Sequence, residues 1–187
     1  MTAAVVLAAG ASTRLGEPKQ LVKIGGETLL ERAVRVAREA GCSPVVVVVG
    51  ASFSEILGRC QLGDVIPVIN DKWQHGMATS IVRGVRTLGL VAKGTDGVVL
   101  MTCDQPAVTA EHLRKVMAAG EVTASAYAGR RGVPAYFPAA SFAELMELRG
   151  DAGARELLRE APAVELAGGE LDVDTSADRA AAERLLG

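Results

Sequence analysis

The stretch Leu7-Ala8-Ala9-Gly10-Ala11-Ser12-Thr13-Arg14-Leu15-Gly16-Glu17-Pro18-Lys19 sets two glycines, two hydroxyls, an arginine and a lysine directly after an apolar segment of strand character. In a parallel α/β sheet, ligands bind beyond the carboxyl ends of strands, where such a loop falls. Glycine lets backbone N–H groups approach an anion closely, and Arg14 and Lys19 bring the charge a triphosphate requires. An ordinary glycine-rich turn would account for the glycines alone. Ser12, Arg14 and Lys19 together favour phosphate binding. The loop is neither a Walker loop nor a dinucleotide fingerprint: it lacks Gly-Lys-Ser/Thr, and five residues, an arginine among them, separate its glycines.

Three further stretches carry chemistry. Thr102-Cys103-Asp104-Gln105-Pro106 follows the apolar run Val98–Met101. Asp104 there can hold Mg²⁺, which takes one or two carboxylates plus substrate phosphates, or can cap the turn before a helix entered at Thr109. Beside the phosphate loop, metal binding is the better reading. In Leu171-Asp172-Val173-Asp174-Thr175-Ser176, two carboxylates flank Val173 and share one face of an extended segment. Asp174 is the candidate second metal ligand; capping of the last helix by Asp174 or Thr175 is the alternative. Asn70-Asp71-Lys72-Trp73-Gln74-His75-Gly76-Met77-Ala78-Thr79-Ser80 joins a strand end to a helix start, where free N–H donors attract anions. Thr79 or Ser80 capping is the alternative there, and Trp73 is expected to pack on the surface. His112 is expected to be solvated on a helix face. Neither histidine has a cysteine at metal-ligand spacing. No serine nucleophile elbow and no Cys-x-x-Cys occurs, so covalent catalysis is not expected.

These loops need a scaffold. Ala3–Ala9, Pro44–Val49, Asp64–Ile69 and Gly97–Met101 are short, rich in Val and Ile, and apolar throughout, as strands covered on both faces are. Helical periodicity separates them. Leu30, Val34 and Ala37 line one face of a Thr28–Ala40 helix opened by a Thr28/Glu31 capping box and stopped at Gly41. Ser52 and Glu55 repeat that pattern before a second helix. Ile81, Val85 and Leu88 mark a third, and Leu113, Val116 and Met117 a fourth. The second half predicts strands near Thr123–Tyr127 and Pro134–Phe137 around a glycine-arginine turn, helices near Ser141–Leu148 and Gly153–Arg159, and a last helix over about Ser176 to Leu186. Strand–helix alternation predicts an α/β fold: a doubly wound, Rossmann-like, mostly parallel sheet with helices on both faces.

The 187 residues suggest one domain over 1–187, able to bury roughly 70% of its unfolded surface. Twenty basic residues against 22 acidic ones give a net charge of −2, which does not point to a nucleic-acid partner. Cys42, Cys60 and Cys103 are odd in number and widely spaced, as in a reduced, cytosolic protein. With no basic-then-apolar leader and no apolar run of membrane length, a soluble cytoplasmic protein without a membrane partner is expected.

At these motifs the chain resembles the MobA-like nucleotidyltransferase family, and within it the molybdenum cofactor cytidylyltransferases. LAAGASTRLGEPKQL is similar to the family's LAAG-x-S-x-R-x-G-x-x-K signature, and NDKWQHGMATS, CDQP, GDAGAR and DVDTSAD match further landmarks in order. The resemblance implies a nucleotide-diphospho-sugar transferase-like fold. It also implies CTP as donor and molybdenum-bearing molybdopterin as acceptor, with a molybdoenzyme as possible recipient of the product. It implies Arg14, Lys19 and Asp104 as catalytic residues, and Leu7, Ala8, Ala9, Gly10, Ser12, Arg14, Lys19, Asn70, Gly76 and Ser80 around the nucleotide. Asp104 and Asp174 would hold Mg²⁺. Ala9 stands where related guanylyltransferases usually carry glycine, which favours CTP. Val133 departs from the family, in which histidine often precedes this proline; Arg130 and Arg131 remain as receivers of an anionic acceptor or as an exposed basic turn. Pro18-Lys19-Gln20 also resembles the methylerythritol-phosphate cytidylyltransferases. A guanylyltransferase and a non-catalytic cofactor carrier or insertion chaperone are the competing functions, and retention of both Asp104 and Asp174 argues against the carrier.

Overall fold

The computed structural model describes residues 1–12 and 14–187; the Thr13 hydroxyl counted in the phosphate loop lies outside them. The chain runs β1 (Thr2–Ala8), a short ribbon of β2 (Lys23–Ile24) and β3 (Glu27–Thr28), α1 (Leu29–Glu39), β4 (Val45–Val49), α2 (Phe53–Arg59), β5 (Ile66–Ile69), α3 (Met77–Val91) and β6 (Gly97–Thr102). It continues with α4 (Ala110–Ala118), β7 (Thr123–Tyr127), β8 (Arg130–Pro138), α5 (Phe142–Met146), α6 (Arg155–Leu158), β9 (Ala163–Glu165) and α7 (Ser176–Leu186). Seven strands form one sheet in the order β5-β4-β1-β6-β8-β7-β9. β5, β4, β1 and β6 run parallel, β8 is antiparallel to both its neighbours, and β9 is parallel to β7. This is the doubly wound, mostly parallel sheet expected.

The apolar strands work by alternation. Ala4, Val6 and Ala8 of β1, with Val45, Val47 and Val49 of β4, face the layer of α1 and α4. Ala3, Val5 and Leu7, with Val46 and Val48, face that of α3 and α5. A strand buried on both faces reads as one continuous apolar run for this reason. The Thr28/Glu31 capping box is present, and the apolar faces of α1, α3 and α4 are buried as their periodicity indicates. α7 closes a third, smaller cluster of Val22, Ile24, Leu29, Val173 and Ala182.

Several expectations are corrected. β5 is an edge strand with Pro67 and Ile69 exposed, because it ends the strand order among the described residues. Ser52 occupies the N-cap position of α2 at φ 54°, in the left-handed region rather than the extended one of a capping serine, and makes no side-chain cap hydrogen bond. Arg130 and Arg131 belong to β8, since Ala128 and Gly129 alone turn the β7–β8 hairpin at φ 48° and 72°, the two positive-φ positions of a tight primed turn. His112 is buried: its Nε2 lies 2.7 Å from the Ser125 hydroxyl on β7, and that hydroxyl donates to the Pro134 carbonyl at 2.5 Å. One serine proton can go only to the carbonyl, so Nε2 is the protonated nitrogen. None of the cysteines is disulfide bonded, and no helix among the described residues is long and apolar enough to cross a membrane.

Candidate active site

The sheet reverses its winding between β1 and β6, and both critical loops leave the carboxyl ends of those neighbouring strands. This is the switch point at which open α/β sheets bind ligands. The loop after β1 is tied down from beneath by Gln20. Its fully buried side-chain amide donates to the Ala8 carbonyl at 2.7 Å and the Gly10 carbonyl at 3.1 Å. Ser12, at φ 51°, accepts the Lys19 backbone N–H at 3.0 Å and so closes the loop on itself. A Cβ at Gly10 would meet nothing within 4 Å, so the space above that backbone is open to a ligand.

Above the loop lies a cleft of about 360 Å³. Leu7, Ala8, Ala9, Gly10, Lys19, Gly76, Ser80 and Asp104 of the expected site line it, together with Gln20 and Trp73. Trp73 is half-buried on the cleft wall rather than lying on the outer surface. It packs so close to Gly50 that a Cβ there would come within 2.8 Å of it. Asn70 stays behind the wall. Its amide donates to the Thr79 and Ser80 hydroxyls, both at 2.9 Å, and its carbonyl oxygen accepts the Lys72 N–H at 3.0 Å. That knot fastens the end of β5 to the start of α3. Neither Thr79 nor Ser80 caps α3, whose N-cap is Gly76.

Lys19 is the hub of the charged groups. Its ammonium donates to Asp104 Oδ2 at 2.5 Å and Asp174 Oδ1 at 2.8 Å, and Arg14 donates to Asp174 Oδ2 at 2.9 Å. Burial works to lower the Lys19 pKa, but the Asp104 charge and the two hydrogen-bonded carboxylates outweigh it and raise it. Asp174 reaches this point because the Val173 N–H donates to the Asp104 carbonyl at 2.9 Å, while Thr175 and Asp178, rather than Asp174, cap α7. Arg32 of α1 holds the loop after β6 through the Pro106 and Val108 carbonyls. Asp172 completes an acidic cluster. Burial first, then the charges of Asp104 and Asp174, push its pKa up to about 6 against the pull of Lys19.

The donor set fits a hard divalent cation. Asp104 Oδ1 is buried and has no hydrogen-bond partner, a costly state for an anionic oxygen that a cation relieves. Among the described residues no group of three His, Cys, Asp or Glu side chains could enclose a metal. An ion here would take its other ligands from phosphate and water, as Mg²⁺ does.

A second cavity, about 160 Å³, also reaches Asp104. Tyr127, Arg130, Val133, Arg155 and Asp172 line it, and it shares Met77, Thr102, Asp104 and Asp151 with the first cleft. Its wall is fixed by a polar chain: the Gln105 amide donates to the Tyr127 hydroxyl at 3.3 Å and the Gly169 carbonyl at 3.0 Å, and Tyr127 donates to the Val133 carbonyl at 3.0 Å. Gln20, Gln105, Tyr127 and Asp151 were not among the residues expected from sequence; Gln20, Gln105 and Asp151 sat inside quoted motifs, and Gln20 even bonds within its own, whereas Gln105 finds Tyr127 and Gly169 far along the chain. A roomier concavity, about 530 Å³, lies elsewhere, on the outer side of α1 among Glu27, Arg35 and Glu39, where Arg35 pairs with both glutamates.

A doubly wound sheet whose switch point carries a basic loop, an acidic centre and two joined clefts defines a nucleotide-handling α/β domain. The chain belongs to the MobA-like NTP transferase domain family, whose model matches residues 4–166. It is 32% identical over 170 residues to the nicotine blue oxidoreductase of Paenarthrobacter nicotinovorans, covering 84% of this chain and 81% of that protein. It is 29% identical over 167 residues to the purine catabolism protein PucB of Bacillus subtilis strain 168, covering 83% and 79%. The crystal structure of Rv0371c from Mycobacterium tuberculosis H37Rv superposes with a TM-score of 0.84 at 33% identity over 98% of both chains. A crystal structure of Rv0371c in complex with manganese superposes at 0.76, with 31% identity over 98% of each.

Proposed function

We propose that this protein is a cytidylyltransferase that moves CMP from CTP to the terminal phosphate of molybdenum-bearing molybdopterin, releasing pyrophosphate, with Mg²⁺ as metal. The observation that carries the reading is the meeting of two clefts at Asp104. A transferase needs a donor seat and an acceptor seat with one charged point between them. CTP fits the cleft above the β1 loop, its triphosphate toward Lys19 and Arg14. The acceptor's phosphate end would enter the Tyr127–Arg130 cavity.

A phosphate oxygen of the acceptor attacks the α-phosphorus in line. The new P–O bond forms as the bond to the bridging oxygen breaks, and pyrophosphate leaves with that electron pair. No side-chain nucleophile is required; positioning and charge neutralisation suffice. Lys19 and Arg14 balance charge on the α-phosphate and the leaving group. Asp104 and Asp174 would hold the divalent ion, which when bound supplies Lewis-acid polarisation of the phosphates. Gln105 and Tyr127 keep the acceptor wall in register with Asp104. Ala9, buried in the donor cleft, supports a pyrimidine, because its methyl group takes room that a purine would need.

The test is pyrophosphate release with Mg²⁺, molybdenum-loaded molybdopterin and each nucleotide in turn. Release with CTP and not GTP is expected. Release with GTP alone would make the protein a guanylyltransferase, and tight cofactor binding without turnover would make it a carrier. The oxidoreductase name of one relative supplies a further arm. Consumption of NADPH in place of pyrophosphate release would replace transfer by hydride chemistry, although the β1 loop lacks the Gly-x-Gly-x-x-Gly pattern of a dinucleotide site.

A further inference from the structure

Outside the acceptor cavity lies an open groove of about 390 Å³ lined by Arg130, Arg131, Arg155, Glu156 and Arg159. Arg130, Arg131 and Arg155 also line the cavity that reaches Asp104, so the two spaces are continuous. Four arginines and one glutamate therefore line one groove, in a chain whose net charge is −2. Glu156 is engaged with Arg159 at 3.3 Å, and among the described residues no carboxylate lies within ion-pair distance of Arg130, Arg131 or Arg155. The arginines are partly held in place. The Arg130 guanidinium lies 5.3 Å from the centre of the Tyr127 ring, and Arg131 donates to the Arg159 carbonyl at 3.3 Å.

Like charges gathered in one groove repel unless an anion joins them, and the guanidinium fork matches the oxygens of phosphate or carboxylate. We propose that this groove is a second oxyanion subsite of the acceptor: the acceptor carries, beyond its reacting phosphate, another anionic group that the arginines grip. The proposal rests on the transfer reading for the identity of the inner cavity. It assigns the outer groove to a substrate with two separated negative groups, and it makes Arg131 and Arg159 determinants of acceptor choice, remote from the bond that breaks. Binding energy gathered there would orient the reacting phosphate against the donor.

The experiment measures calorimetric binding of α,ω-alkanediol bisphosphates with three to eight carbons, and of the matching monophosphates, to the full chain. The donor site is held by α,β-methylene-CTP and Mg²⁺. At the spacer that bridges the two spaces, the bisphosphate is expected to bind roughly tenfold tighter or better than its monophosphate. The double variant Arg131→Ala/Arg159→Ala should abolish that advantage. Arg83→Ala/Arg86→Ala, which removes as much charge from exposed positions on α3, should keep it. The proposal is overturned if no spacer gives an advantage, if Arg131→Ala/Arg159→Ala retains it, or if both double variants lose it equally. Inorganic phosphate binding as tightly as the best bisphosphate would assign the groove to a free anion and would also overturn it. None of these readouts uses turnover, and the analogue's own isotherm reports on the nucleotide site. Failure of the groove therefore leaves the transfer reading standing, and absence of pyrophosphate release would not by itself empty the groove.

Discussion

At the scale of single residues, Asp104 and Lys19 carry the argument. Lys19 neutralises two carboxylates at once, while Asp104, which lines both clefts, keeps one buried oxygen without a hydrogen-bond partner. Asp104→Asn preserves shape and removes the charge. It should lower pyrophosphate release by roughly 10²–10³-fold, the cost of losing a preorganised electrostatic contact, with an unchanged circular dichroism spectrum. Wild-type rates in that variant would take Asp104 out of the chemistry. Ala9 sets a separate expectation. Ala9→Gly removes one methyl from the donor cleft and should shift the CTP-to-GTP ratio of kcat/KM toward GTP by roughly 10-fold or more, the usual worth of one methylene-sized contact in a pocket. An unchanged ratio would place base selection on other residues.

At the scale of elements, the site depends on loops that particular backbone positions hold in place. Gly76 ends the loop before α3 at φ 104°, and a Cβ there would collide with the Gly150 carbonyl, to which the Ala78 N–H bonds at 3.1 Å. Gly76→Ala should cost at least about 1–3 kcal/mol from the strained dihedral alone, seen as a lower urea midpoint, and should weaken nucleotide binding because Gly76 lines the donor cleft. The tie between α4 and β7 gives a pH dependence. Burial first, then the nearby Lys115 charge, holds the His112 pKa below its ordinary value of 6.5. Below that value the unfolded chain binds a proton that the native state refuses, so His112 contributes stability above pH 6.5 that is lost as pH falls toward the depressed pKa. Asp172, its pKa raised, acts in the opposite direction over lower pH. The His112 effect is therefore read as the difference between wild type and His112→Gln: the urea midpoint of wild type should fall more steeply from pH 7.5 to 5.5. These features also mark what local sequence conveys. The Thr28/Glu31 box and the faces of α1, α3 and α4 were legible because each is written within a few residues. The burial of His112 was not, since Ser125 and Pro134 make it a buried group only after β7 and β8 pair. The edge position of β5 likewise follows from strand order, which no single segment contains.

At the scale of the whole molecule, the site is assembled from distant parts of the chain. Lys19, Asp104 and Asp174 meet across separations of 85 and 155 residues. Motif order made their membership in one site legible, while the pairing of Gln105 with Tyr127 and Gly169 had no local mark. Such assembly gathers Asp104, Asp172 and Asp174 about Lys19 and Arg14. A ligand that supplies cations and phosphates together should therefore stabilise the entire fold, because the unfolded chain has no site for it. At a free concentration about 100 times Kd, such binding adds about 2.7 kcal/mol, which for a chain of this length raises Tm by about 5–10 °C. CTP with Mg²⁺ or Mn²⁺ should give that rise in a thermal melt, and CTP with excess chelator should give much less. Asp104→Asn should melt near the unliganded wild type and respond weakly to CTP with metal. A full shift in that variant would mean that the nucleotide and its metal dock without Asp104, and the junction between the two clefts would no longer be the point on which transfer turns.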